Sequence, residues 1–215
     1  DKTGNDCELG MTAYTDKACD IEGETTYLPT KASAYLKKDG KKLASIDVTA
    51  DYTNYGIPKT ATADIYAQPV KIQATLTQES ASKFSAQLTI TDETQSDNNL
   101  SVSAEATLSN AINNYTDFDD CEFNNLKFTV DQASLSIQGS VDLKTLNKIE
   151  DPSAIDINLC LDAAVFYNGA KTGTLTVVDL GEDRYLYIVY KDGTKENTNV
   201  YYDSFITNVE NMFKK

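Results

Sequence analysis

The chain has no histidine and no tryptophan, and only four prolines and four cysteines. Each shortage closes off a class of chemistry. Without an imidazole the usual general base is missing, which removes Ser-His-Asp and Cys-His arrangements. No apolar run reaches the 18 residues of a bilayer-spanning helix, so no transmembrane segment is expected. No glycine-rich phosphate loop is present. Positive charge is also scarce, with 19 basic against 33 acidic residues in 215 and a formal net charge of -14. Such a balance repels a phosphate backbone, which argues against a nucleic-acid partner, and it argues equally against docking on anionic lipid. The acidic residues are spread through loop-like segments, where their ordinary role is solubility.

What the chain does have is alternation. Val70, Ile72, Ala74 and Leu76 form one run, Phe84, Ala86, Leu88 and Ile90 a second, and Leu100, Val102, Ala104, Ala106 and Leu108 a third. The intervening Lys71, Gln73, Thr75, Ser85, Gln87, Thr89, Ser101, Ser103, Glu105 and Thr107 fall on the other face at period two. That pattern predicts an antiparallel meander, apolar on one side. Asp39-Gly40 and Asn168-Gly169 predict hairpins, and Lys191-Asp192-Gly193 another turn. Pro69 cannot donate to a ladder, so an edge position or a bulge is expected there. Asn110 to Asn125 reads as a long loop, and Val141 to Ile149 as a short helix or a strand running into a loop. Ile155, Ile157, Leu159, Leu161 and Ala163 read as a clean strand, and Tyr185 to Tyr190 as a central or well-covered one. Phe205, Val209 and Met212 or Phe213 recur at helical spacing, predicting a terminal helix from Tyr202.

These elements predict a mainly β (α+β) fold: a curved antiparallel sheet with one or two helices covering its apolar face, or alternatively a two-sheet β-sandwich. Residues 1–31 are polar and read as an irregular N-terminal arm, with 32–215 as a single β-rich domain. The sequence begins in a polar stretch without an initiator methionine, as expected of an exported product or of a trimmed chain.

Few residues suggest chemistry. Cys7, Cys19, Cys121 and Cys160 allow three pairings. A Cys7–Cys19 bridge would close a short loop worth roughly 3 kcal/mol, and Cys121–Cys160 would tie distant strands. Free buried thiols are the alternative; a zinc site lacks both histidine and ligand spacing. Asp117, Asp119, Asp120 and Glu122 crowd four carboxylates into six residues, a set that calcium could use although it lacks the glycine and spacing of an EF-hand. Tyr185, Tyr187, Tyr190, Tyr201 and Tyr202 cluster late in the chain; packing of a sheet explains them, and a ligand or sugar platform is the second reading. Ser80-Ala81-Ser82-Lys83 matches Ser-x-x-Lys, but in a turn rather than on the helix that motif needs. Glu105, Asp131, Asp156 and Asp162 occupy outward strand positions, not the facing walls of a glycosidase cleft. No catalytic residue and no cofactor is expected.

Gly56-Ile57-Pro58-Lys59 leading into a strand near Pro69, the alternating meander, the Lys191-Asp192-Gly193 turn and the closing Tyr201-Tyr202-Asp203-Ser204-Phe205 segment resemble lipoproteins of gut Bacteroidetes, a loose group of unknown function. The resemblance implies export, a lipidated cysteine upstream of Asp1, and residence in the periplasm or at the outer-membrane surface. A curved sheet wrapped around a helix would be similar to the architecture of periplasmic lipoprotein carriers. The expectation is therefore a non-catalytic envelope or secreted protein holding a small apolar ligand between sheet and helix. The alternative is an adhesion or glycan-capture module.

Overall fold

The computed structural model describes residues 6–96, 99–114, 117, 120–148, 156–180, 183–200 and 207. Its architecture is one open sheet in which strand order follows chain order without a single crossover. The strands are β1 (Cys7–Ile21), β2 (Glu24–Lys38), β3 (Lys41–Tyr52), β4 (Pro58–Ala67), β5 (Val70–Ser80), β6 (Lys83–Asp92), β7 (Leu100–Leu108), β8 (Phe123–Gln132), β9 (Leu135–Asp142), β10 (Leu161–Tyr167), β11 (Ala170–Leu180), β12 (Asp183–Tyr190) and β13 (Lys195–Asn197). Every neighbouring pair is antiparallel. The predicted meander is thus extended across the whole sheet. Of the helix expected from Tyr202 only Thr207 is described, and it is helical, as are Asn199 and Val200 just before it; the rest, with Tyr201, lies outside the described residues.

Register carries the one-sidedness from strand to strand, because directly opposed residues share a face. One row runs Met11, Ala34, Ile46, Ile65, Ile72, Ile90, Leu100. Another runs Val130, Ile137, Val165, Gly173, Tyr190. The opposite face is built from Lys, Asp, Gln, Ser and Thr. Lys83, Glu105 and Lys127 form a ladder of ion pairs on it, at 2.8 and 3.6 Å from the shared carboxylate.

Among the described residues two clusters of buried apolar side chains form, apart from the singly buried Val70, Cys19 and Cys160. Ala163, Val165, Leu175 and Ile188 form one core across β10–β12, flanked by Phe128, Ile137, Leu186 and Tyr190. Two glycines admit the tight packing there. A Cβ on Gly139 would stand 2.5 Å from the Cβ of Ala163, and one on Gly173 would stand 2.6 Å from the carbonyl of Val189. The second core joins Ile57, Leu108 and Ile112 with Phe84 and Cys121.

Turn chemistry follows the expected pattern. Asp39-Gly40 and Asn168-Gly169 both take positive φ at two successive residues, the type I′ requirement. Glu22-Gly23 does the same between β1 and β2.

Several local expectations are corrected. The segment read as an irregular arm contains β1 and most of β2, which at 15 residues each are the longest strands. Bulges between Met11 and Ala13 and between Thr15 and Asp16 break the period twice, so alternation is not visible in the sequence. Pro69 is neither at an edge nor in a bulge; it follows a cis peptide bond in the turn between β4 and β5. Val141 and Asp142 end β9, and Asp142 caps the helical turn α1 (Leu143–Leu146), accepting from the Thr145 amide at 3.0 Å. Ile157–Leu159 is a 3-10 turn rather than strand, capped by Asp156, and the strand begins only at Leu161. Asn158 explains the interruption. Its side chain accepts from Val177 N at 2.7 Å and donates to Val177 O at 2.9 Å, standing in for a strand beside β11. The Tyr185–Tyr190 strand is well covered at Ile188, but it lies one strand from the β13 edge rather than at the centre.

Candidate functional site

The second core borders a cavity of about 350 Å³ on the apolar face. Its floor comes from β5–β7, where Ala86, Ala104 and Ala106 stand between the larger Leu76, Phe84 and Leu108. Small side chains flanked by large ones make the depression, because the sheet backbone continues unbroken beneath them. Its walls are Pro58, Ile112, Cys121 and Phe123.

The wall residues are placed by two loops. Ile57 and Pro58 follow the β3–β4 turn, in which the Thr53 hydroxyl accepts from Ile57 N at 3.1 Å and Thr53 N donates to Ile57 O at 2.8 Å. Ile57 is consequently fixed and fully buried. The described residues of the loop between β7 and β8 reach back to the β5–β6 turn, with Ile112 N donating to Ala81 O at 2.6 Å. Polar groups stitch this loop shut. Glu122 N donates to the Ser109 hydroxyl at 3.0 Å, Ser109 N to Glu122 O at 2.8 Å, and Asn124 Nδ2 to Leu108 O at 3.1 Å.

The acidic set in that loop is structural where it is described. Asp117 accepts from the amides of Asn113 and Asn114 at 2.6 and 3.0 Å, and these bonds hold its carboxyl below the usual carboxylate range. Asp120 and Glu122 join the loop through their backbone carbonyls and amides, and Asp119 lies outside the described residues. Among the described residues no three His, Cys, Asp or Glu side chains are grouped to hold a metal ion.

The tyrosines do not converge. Tyr185 and Tyr187 pair with Val178 and Thr176 on one face of β12, whereas Tyr190 pairs with Gly173 on the other and donates to Glu196. Tyr202, like Tyr201, lies outside the described residues.

All four cysteines carry free thiols. Cys7 and Cys19 belong to the same strand, twelve positions apart, which at 3.3 Å per residue is roughly 40 Å and rules out a bridge between them. Cys19 is instead buried, donating to Thr53 O at 3.5 Å. Cys121 donates to Asn110 O at 3.7 Å within the loop that walls the cavity, and Cys160 is buried at the end of the 3-10 turn.

Sequence reasoning missed Pro58, Ile112 and Phe123 as site residues. A signal existed: Ile112 is the isolated aliphatic residue in an otherwise Asn- and Asp-rich loop, and such a residue needs somewhere to be buried. Compared with known protein families, curated proteins and solved structures, the chain matches none.

Proposed function

We propose that this is a non-catalytic protein of the cell envelope that holds an apolar ligand against its sheet. The observation carrying the reading is the cavity over Ala86, Ala104 and Ala106, whose lining is almost wholly hydrocarbon. Its size falls at the lower end of small-molecule sites. A ligand there gains by leaving water and finds almost no polar group to orient it, so an unbranched or weakly functionalised hydrocarbon chain fits best. Among the described residues the cavity's cover is the loop that carries Ile112 and Cys121. Export, a lipid anchor upstream of Asp1 and residence in the periplasm or on the outer membrane belong to the same proposal and rest on the resemblance. The non-catalytic part rests on the missing histidine and on carboxylates already committed to lysines and loop amides.

Native mass spectrometry of the full chain purified from its own host is the test. A mass increment that disappears in Ala104→Phe, with the fold retained by circular dichroism, is the expected result. An apo mass for the wild type sinks the proposal.

A second reading, glycan capture, is favoured by a different feature. The polar face bears an open groove of about 680 Å³ across β3–β5, where Asp64, Gln73, Lys71 and Glu93, the last just beyond β6, surround Tyr66. Planar polar groups beside an aromatic ring suit a sugar. A glycan array run with and without calcium checks it, and flat binding in both removes it.

A further inference from the structure

We propose that the uncovered apolar face of β1–β4 and the lysine-rich β2–β3 turn together lie against an anionic membrane surface. Three successive cross-strand rows make up this end of the sheet. The outermost is Cys7, Lys38 and Lys41; the next is Leu9, Leu36, Ala44 and Ala67; the third is Met11, Ala34, Ile46 and Ile65. Leu9 is 81% exposed and Met11 72%, and Leu36, Ile46 and Ile65 are exposed as well. A contiguous apolar patch of this kind on a folded surface marks a contact with another apolar phase or partner.

Charge selects the partner. Lys37, Lys38, Lys41 and Lys42 occupy four of six consecutive positions in a chain of net charge -14; Lys38 and Lys41 continue the apolar rows, whereas Lys37 and Lys42 stand on the other side of the sheet. They oppose one another directly, Lys37 to Lys42 and Lys38 to Lys41, an arrangement that repels unless anions arrive from outside. Among the described residues none of the four forms an ion pair with a carboxylate; Lys37 lies over the Tyr35 ring at 4.3 Å. Asp39 stands in the turn between Lys38 and Lys41, its amide donating to Asp6 O at 2.9 Å, and the acids of the adjoining strands face away. Glu8 shares the Lys37 and Tyr35 side, and Asp47, Asp51 and Asp64 share theirs with Ser33, Thr60 and Gln73, opposite the Leu9 and Met11 rows. The repulsion implied by the whole-chain charge is therefore directed to the other side of the sheet, and at physiological salt it is screened beyond about 8 Å. A second copy is a poorer match, because its equivalent face at these rows has no carboxylate to meet the lysines.

The surface combines the two signals that interfacial association needs: an apolar face and a cationic border. Co-sedimentation with phosphatidylcholine vesicles and with vesicles containing one quarter phosphatidylglycerol reads it out. The wild type is expected to partition at least tenfold more strongly onto the anionic vesicles. Lys38→Gln/Lys41→Gln is expected to lose about 25-fold, near fivefold per charge. Because the chain has no tryptophan, Met11→Trp supplies a depth probe, with Leu159→Trp, 80% exposed in the 3-10 turn, as the comparison. A blue shift on anionic vesicles at position 11 and none at 159 supports the proposal. Equal binding to both vesicle types, or no shift at position 11, overturns it. So does a concentration-dependent dimer that Met11→Glu dissolves while vesicles bind nothing.

Discussion

The apolar face has the same chemical pattern at both ends of the sheet and opposite surroundings. In β10–β12 its Val165 and Ile188 are at most 1% exposed; in β3 and β4 the equivalent Ile46 and Ile65 are 41% and 37% exposed. Alternation therefore identifies which side is apolar but not whether anything lies against it. Close packing at the later strands depends on glycines that carry no Cβ, whereas the early strands are long, register-broken only by bulges in β1 and at strand ends, and uncovered. One region is core and the other is surface, although both are written in the same code.

That contrast is sharpest for matched truncations. Ile188→Ala should cost about 3–4 kcal/mol in denaturant unfolding, because it removes transfer energy and leaves a cavity in a fully buried site. Ile46→Ala should cost less than about 1 kcal/mol, since much of that side chain is already in water. Equal costs would mean that the early face is covered in solution.

Glycine substitutions break the comparison from the other direction. Gly139→Ala forces a methyl against Ala163 and the Asp162 carbonyl, and about 2 kcal/mol of destabilisation is expected. Gly10→Ala meets only the far end of the Tyr35 ring, which can swing aside at a cost of under about 1 kcal/mol. Thermal melting of the two variants side by side distinguishes them; the reverse order would refute the packing difference.

The smallest effect concerns the loop over the cavity. The depressed Asp117 carboxyl contributes most above its unfolded value near 3.9, and that contribution is lost as pH falls through its lower folded value. Amide signals of Asn113 and Asn114 should therefore titrate together with a midpoint below the ordinary aspartate range, and Asp117→Asn should abolish that titration. A midpoint at or above the ordinary value would show that the two amide bonds do not persist in solution.

The same physics explains what could be read in advance. The central meander was legible because Val70 to Leu108 keeps strict period two, and the Asp39-Gly40 and Asn168-Gly169 turns because few dipeptides tolerate two positive φ values. The first strand was hidden by its bulges, and the start of β10 by Asn158, whose side chain does the work of a strand edge. The cavity was largely illegible, since Pro58, Ile112 and Phe123 come together only through loops whose reach no local period encodes. Carboxylate-rich loop composition pointed to calcium, whereas Asp117 spends its Oδ2 on two backbone amides.

Strand order equal to chain order has one more consequence. Each hairpin docks only on the one before it, so contacts remain local along the chain and the sheet can grow from its first edge as synthesis proceeds. Such a sheet is modular: a hairpin gained or lost at the β1 edge changes the width of the surface without rethreading the rest. Load applied across the sheet would peel it strand by strand, a zipper rather than a block.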